Sequence, residues 1–379
     1  MWRTVILVVG FSLGWPLTAA LGQERAKTWQ YAPELLRPFW AGDRVEGESV
    51  LFIKDARTGT ARASVLFPVR KVLAVRNSAG DVTYQSGRDY VWKPESRTIV
   101  LPEGSRIPSR TPEQLRRPAK SQKYELTHRD GKGEIFFGGK LEYAAMQTCI
   151  TYTHAPDLWK ASVPRFDGKA LPRSVAKLVK RQALSIVTLG DSISAGANAS
   201  ALYEAMPFQP AYPELLRAHL AARFHGPVRM KNLAVGGTDT SWGLTQIDKV
   251  ADAKPDLVIL AFGMNDSAGR AAKDYQANTK SMIKKIRARL PDCEFILVAS
   301  MLGNRAWVRL KHELCPQYRD ALQELAEPGV AVADLTSIWA RFLDLKQDWD
   351  QTGNGVNHPN DFGHRVYAQV IAALLDPGP

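Results

Sequence analysis

The chain has 379 residues, is 45% hydrophobic and carries 50 lysines and arginines against 38 acidic residues, a formal charge of +12. That length suggests two domains with room for real cores, while three cysteines (Cys149, Cys293, Cys315) are too few and too scattered for a disulfide scaffold, although a Cys293–Cys315 bridge stays open. The positive charge is spread over helix-like segments such as RSVAKLVKRQ (173–182) and KSMIKKIRARL (280–290), which read as solvated faces, and without a recognised reading motif no nucleic-acid partner is expected.

In chain order, MWRTVILVVGFSLGWPLTAALGQ gives one early positive charge (Arg3), an apolar run from Val5 and small residues at Ala19–Gly22. This pattern predicts a signal peptide over residues 1–22 and a secreted or periplasmic protein. The apolar run is too short to span a bilayer comfortably and no stop-transfer segment follows, so no integral membrane association is expected.

Residues 23–165 form the predicted first domain. From about 47 to 155, short runs such as ESVLFIKD, TARASVLFPV, KVLAVRNS and TCITYTH alternate apolar and polar residues between Gly-, Pro-, Asn- and Ser-containing breaks. Period-two patterning predicts antiparallel strands, here an all-β sandwich of jelly-roll type, with NSAGD (77–81) as a hairpin connection. The stretch IPSRTPEQLRRPAKSQ (107–122), with three prolines and many charges, reads as an exposed loop. The segment from about 156 to 182 reads as the join.

Residues 166–379 form the second domain, and here the period changes. The apolar runs LSIVTLG, VRMKNLAV, DLVILAFG, EFILVAS and VAVADL alternate with segments of helical spacing such as YPELLRAHLAARF and YQANTKSMIKKIRARL. Near-continuous apolar strands predict an α/β fold with a parallel sheet covered on both faces. Such a sheet binds its ligand outside the carboxyl ends of the strands.

The strand ends carry GDSIS (190–194), NLAVGGTDTSWG (232–243) and FGMND (262–266), and HPND (358–361) precedes the last helix. Each alone is an ordinary turn or cap. Together they supply the parts of one reaction. Ser192 is a hydroxyl able to attack a carbonyl carbon once a base takes its proton, and His358 is the natural base. The intermediate's negative oxygen needs donors, which glycine backbone and an asparagine amide provide. No Gly-x-Ser-x-Gly elbow is present, and the seven histidines lack paired metal-ligand spacing. His364 reads as a packing residue rather than a second base.

GDSIS, NLAVGG, GMND and the late His-Pro, in that order over roughly residues 184–375, resemble the four blocks of the SGNH, or GDSL-type, hydrolases. The resemblance implies a flavodoxin-like three-layer fold and ester hydrolysis without metal or cofactor. Carried over by position, it implies Ser192 as nucleophile, the Ser192 and Gly237 N–H groups with Asn265 as oxyanion hole, and His358 as base. Gly237 rather than Gly236 is the sixth residue counted from Asn232. Most of the family has an aspartate three residues before the histidine; here that position is Gly355. Three substitutes stand open: Asn354 or Asn357, a backbone carbonyl of this loop, or Asp350 folded back. A Ser192–His358 dyad with a neutral oxygen fixing the ring is the expectation, since such an oxygen still selects the productive tautomer. Some two-domain carbohydrate esterases of the superfamily are similar in lacking the acid.

A β-sandwich joined to such a hydrolase resembles a deacetylase of xylan- or pectin-like chains, with acetylated poly- or oligosaccharide as partner. Trp242 and Trp307 are candidates for stacking on a sugar ring, against packing roles. The alternatives are a lipase, lysophospholipase or thioesterase on the same machinery, or a carbohydrate-binding protein with a decayed hydrolase half.

Overall fold

The computed structural model describes residues 28–378, so the expected signal peptide lies outside the described residues. The unbroken apolar runs form one parallel sheet, with strands Val228–Asn232, Leu184–Gly190, Leu257–Ala261, Glu294–Ala299 and Val330–Asp334 side by side in that spatial order. In chain order this is 2-1-3-4-5, the flavodoxin-like arrangement. Every residue of Leu257–Ala261 and Glu294–Ala299 is buried. Successive side chains point to opposite faces, so both faces need cover. Ile186, Ile259 and Ile296 pack with Leu215 and Leu216 of helix Tyr212–Phe224 and with Val366 and Val370 of helix Asp361–Ala372. Val187, Val258 and Phe295 pack with Met282 and Ile286 of helix Ala272–Arg289 and with Leu322 of helix Leu314–Gln323. Because the second strand lies on one side of the first and the third on the other, the connections from the carboxyl ends of the first and third strands leave in opposite directions and a crevice opens between them.

The N-terminal domain consists mostly of strands, as the alternation predicts. Arg44–Val50, Thr148–Thr153 and Lys71–Asn77 make a three-stranded antiparallel sheet. Val91–Trp92, Ser96–Leu101, Ala61–Val69, Phe52–Lys54 and Ser109–Arg110 make a five-stranded one, and Arg116–Arg117 pairs with Glu134–Ile135. Only Leu51 and Arg70 separate strands that pass from one sheet to the other. Val50, Val65, Val75, Ile99 and Ile150 belong to the core between them. The segment 107–122 is less of a loop than its prolines and charges predict. Ser109–Arg110 is an edge strand parallel to Phe52–Ile53, and Ile107 and Leu115 are buried.

The two domains share one core. The Phe39 ring meets Phe342 at 5.1 Å and Trp159 at 4.9 Å between centroids, and Gln369 of the last helix donates to the carbonyls of Leu35 and Arg37. Lys346 of the α/β domain forms a fully buried ion pair with Glu48 and donates to the Ser49 carbonyl at 2.7 Å. Tyr152 and the Leu66 N–H complete the Glu48 shell, as a buried pair requires. All three cysteines are free thiols, so the Cys293–Cys315 bridge left open by spacing is not formed.

Candidate active site

Strand Leu184–Gly190 stops where a side chain no longer fits: a Cβ on Gly190 would lie 2.5 Å from the Ala261 carbonyl and 2.6 Å from Ser194 Oγ. Asp191 then caps a short helix, Ser192–Ala195, by accepting from the Ile193 N–H at 2.9 Å. Burial pushes the Asp191 carboxyl up to about 7, against the pull of that N–H. Ser192 is the first residue of this helix and stands half-buried at the crevice.

The next two strand ends are tied to it. Asn232 donates to the Ser194 carbonyl at 2.6 Å and accepts from the Ala234 N–H at 3.1 Å, which draws the double-glycine turn against the nucleophile helix. A Cβ on Gly236 would lie 3.7 Å from Ser192 Cβ, whereas Gly237, at φ +78°, has nothing within 4 Å on that side. Asn265 gives one amide hydrogen to the Thr238 carbonyl at 2.8 Å, which leaves its second hydrogen unclaimed by that contact. Buried Asp266 accepts from Thr240 Oγ1 and from Arg270 Nε, both at 2.6 Å. It staples the two turns together.

His358 is half-buried, and its Nε2 lies 2.8 Å from Ser192 Oγ. For Nε2 to accept the hydroxyl proton, Nδ1 must carry the ring's own hydrogen. Asn198 Oδ1 lies 3.0 Å from Nδ1. The orientation of this amide is fixed, because Asn198 Nδ2 faces the carbonyls of Lys140 at 2.5 Å and Gly353 at 3.1 Å. In the tautomer with the hydrogen on Nδ1, Asn198 Oδ1 is therefore its acceptor. Asn354, one of the residues considered from sequence, plays another part. Its Oδ1 accepts from the N–H groups of Val356, Asn357 and His358, and its Nδ2 lies 3.0 Å from His358 Nδ1 and 3.2 Å from Asn357 Oδ1. As a donor facing Nδ1 it favours the opposite tautomer.

Asp350 does not fold back. Its carboxylate accepts from the Leu51 N–H of the N-terminal domain at 2.7 Å and from the Gln347 N–H of its own domain at 3.1 Å. At Gly355, φ is +87° and a Cβ would lie 2.4 Å from the Phe136 carbonyl and 2.7 Å from the Tyr143 ring. The N-terminal domain fills the space that an acid would need. Burial, aided by neighbouring His364, pushes the His358 imidazole down to about 4. His364 is fully buried on the last helix with Nε2 3.1 Å from the Ala197 carbonyl, a packing position as expected.

Ser192, Gly236, Gly237, Asn265 and His358 line one cleft of about 700 Å³. Its far wall comes from the N-terminal domain, through Tyr124, Leu126 and Phe137, and from Trp307 and Arg309 beyond the fourth parallel strand. Trp242 instead packs on the helix-covered core beside Phe262. The arrangement pairs a hydroxyl with a base in hydrogen-bond contact beside amide donors, the geometry of acyl transfer. Two features escaped the sequence reading. Asn198 had no signal beyond being an asparagine among small residues after the nucleophile helix, and the Tyr124–Phe137 wall sits in a segment whose strands say nothing of their position over the cleft. Among the described residues no group of three or more His, Cys, Asp and Glu side chains is placed to hold a metal ion, and no helix is long and apolar enough to cross a membrane.

Residues 188–366 match the model of the GDSL-like lipase/acylhydrolase family. Among solved structures the chain is similar to a two-domain esterase active on acetylated mannans (19% identity, 55% of this chain and 53% of that one, TM-score 0.43). It is also similar to an acetylxylan esterase from Geobacillus stearothermophilus (18% identity, 50% and 92%, TM-score 0.41) and to a lipase from a goat rumen metagenome (19% identity, 50% and 96%, TM-score 0.41). The similarity to the two-domain esterase spans about half of that protein's length. No curated protein matches the chain.

Proposed function

We propose, from the match of residues 188–366 to the GDSL-like lipase/acylhydrolase family model, that the chain is a secreted serine esterase that removes O-acetyl groups from a xylan- or pectin-like polysaccharide. The observation that carries this reading is the continuous line of contacts from Ser192 Oγ through His358 to Asn198 Oδ1. Ser192 Oγ attacks the acetyl carbonyl carbon while His358 Nε2 takes its proton. The oxygen that becomes negative is received by the N–H groups of Ser192 and Gly237 and the free amide hydrogen of Asn265. Collapse breaks the bond to the sugar oxygen, which leaves with the proton from His358. Water, deprotonated by the same imidazole, then releases acetate and restores Ser192. Asn198 holds the ring and its tautomer but, being neutral, does not stabilise the imidazolium as a charge would. The N-terminal domain, read as the jelly-roll-like sandwich, supports the histidine loop: Gly138 N–H donates to the Asn354 carbonyl at 3.1 Å and Gln147 Nε2 to the Thr352 carbonyl at 2.9 Å.

The test is acetate release from a panel of acetylated polysaccharides together with a nitrophenyl ester series. The expected result is acetate release from at least one polymer, preference for two-carbon over eight-carbon acyl groups, and loss of at least about 10⁴-fold in turnover for Ser192→Ala. A series peaking at eight carbons or more points instead to a lipase. Full activity in Ser192→Ala ends the serine mechanism.

A further inference from the structure

We propose that the N-terminal domain supplies a saccharide-binding wall of the active site, with Tyr124 as the ring-stacking platform and Phe137 as its support. This rests on the esterase reading above and assigns the first domain a task in it. Among the described residues, the exposed large apolar side chains include one aromatic, Tyr124, 49% exposed. It stands in the same cleft as Ser192 and His358. Exposed Val235 and Val308 adjoin the cleft-lining residues Gly236 and Trp307 in sequence, so exposed apolar surface recurs around this cleft.

The wall is built to hold its shape. Tyr124 meets the edge of Phe137 at 5.2 Å between centroids and 70° between planes. The Phe137 N–H donates to Gln122 Oε1 at 2.8 Å, and Gln122 Nε2 donates to the Ile135 carbonyl at 2.7 Å. The same segment is laced to the α/β domain. Arg129 N–H donates to the Ala306 carbonyl at 2.7 Å, Val308 N–H to the Thr127 carbonyl at 3.1 Å, and Trp307 Nε1 to the Glu125 carbonyl at 3.3 Å. A platform held by bonds from both domains loses little freedom when a ligand lands on it, which favours binding.

The chemistry of the wall selects a class of occupant. A pyranose ring offers an apolar C–H face to an aromatic ring and hydroxyls at its rim. Tyr124 supplies the ring, and exposed Glu125 and Arg309 of the same cleft supply charged hydrogen-bonding groups. A long acyl chain offers those groups no hydrogen bond. The wall therefore receives the saccharide next to the scissile ester, and the N-terminal domain acts inside the active site.

The experiment compares Tyr124→Ala, Tyr124→Phe and Phe137→Ala on two substrates, p-nitrophenyl acetate and acetylated xylo-oligosaccharides. The expected result is a roughly tenfold or greater rise in KM for the oligosaccharides in Tyr124→Ala, a smaller rise in Phe137→Ala, near-complete rescue in Tyr124→Phe, and a rise in KM on p-nitrophenyl acetate several-fold smaller than on the oligosaccharides. Oligosaccharide kinetics unchanged in Tyr124→Ala, with wild type active on them, overturn the platform and leave the esterase reading standing. Equal losses on both substrates also overturn it, by showing a role in the fold or the chemistry. Wild type that cleaves p-nitrophenyl acetate but releases no acetate from any acetylated saccharide overturns the saccharide reading and the platform together.

Discussion

Asn198 Oδ1 lies 3.0 Å from His358 Nδ1, in the place where a charged acid would be expected to orient the base. Its amide is not interchangeable with a carboxylate, because the other end, Nδ2, faces the carbonyls of Lys140 and Gly353. Asn198→Ala removes the acceptor that selects the productive tautomer, and kcat should fall by roughly 10²-fold or more, short of the loss on removing the nucleophile. Asn198→Asp should fail to rescue, since it turns a carboxylate oxygen toward two carbonyl oxygens. Steady-state kinetics on p-nitrophenyl acetate check both. An Asn198→Asp variant faster than wild type would show that the amide's second contact carries no weight.

The better place for a charge is Asn354. Its Oδ1 already accepts three backbone N–H groups, and its Nδ2 points at His358 Nδ1 from 3.0 Å as an unhelpful donor. Asn354→Asp has the same shape, keeps those three bonds and presents an ionised oxygen to Nδ1–H; it gives up the 3.2 Å contact to Asn357 Oδ1, which the Asn357 amide answers by turning its own Nδ2 inward. The three N–H donors hold the new carboxylate in its charged form. The expected outcome is turnover at least equal to wild type and an acid limb of kcat/KM moved up by about one pH unit or more. A variant with slower turnover and an unmoved limb would contradict this account of the tautomer.

The pH profile of the native protein follows from the same burial. Burial first, and His364 second, push His358 down to about 4, below the roughly 6.5 of an ordinary imidazole. A base with a lowered pKa stays neutral, and so competent, as the pH falls through 6.5, and is lost only as the pH approaches 4. The acid limb of kcat/KM should therefore lie between about pH 4 and 5, with near-full activity at about pH 5.5. A limb at pH 6.5 or above on p-nitrophenyl acetate would place His358 in a wetter or more negative setting than the structure gives it.

The strand ends were readable in the chain because the parallel sheet converts sequence order into spatial convergence: wherever a strand stops, its next residues face the crevice. Ser192, Gly237, Asn265 and His358 each follow or lie beside such an end. Asn198 was not readable, because its role depends on a left-handed backbone at φ +64° and on carbonyls from residues 140 and 353. Alternation marked the strands of the first domain, but pairing is made by backbone groups that every residue carries. Hence the three-plus-five division, and the edge strand Ser109–Arg110 inside a proline-rich stretch, left no trace in side-chain pattern.

Asp350 shows how a plausible acid can have a purely architectural task. Its carboxylate spans the domains, accepting from the Leu51 N–H and the Gln347 N–H, and burial pushes it up to about 6. Asp350→Asn should leave kcat within about threefold of wild type while lowering stability by about 1–2 kcal/mol, as one acceptor becomes a donor facing an N–H. Thermal unfolding and kinetics on the same preparation separate the two effects. A several-thousand-fold drop in kcat without a change in Tm would return Asp350 to the catalytic machinery.

Gly355 occupies the position where most of the family has its acid, and restoring aspartate there should fail. The Cβ alone would lie 2.4 Å from the Phe136 carbonyl and 2.7 Å from the Tyr143 ring, at a backbone φ of +87° that non-glycine residues rarely adopt. Strain and overpacking together should cost on the order of 3 kcal/mol, read as a lower Tm. Because Phe136 and Tyr143 belong to the N-terminal domain, the displaced material is the wall that supports the histidine loop, and kcat should fall too. The contrast with Asn354→Asp, one residue earlier, is the decisive one. Both variants add one negative charge to the same loop, so a gain at 354 beside a loss at 355 isolates geometry from charge. If Gly355→Asp instead folds with wild-type stability and raises turnover, the packing of the first domain against this loop is not what keeps an acid out.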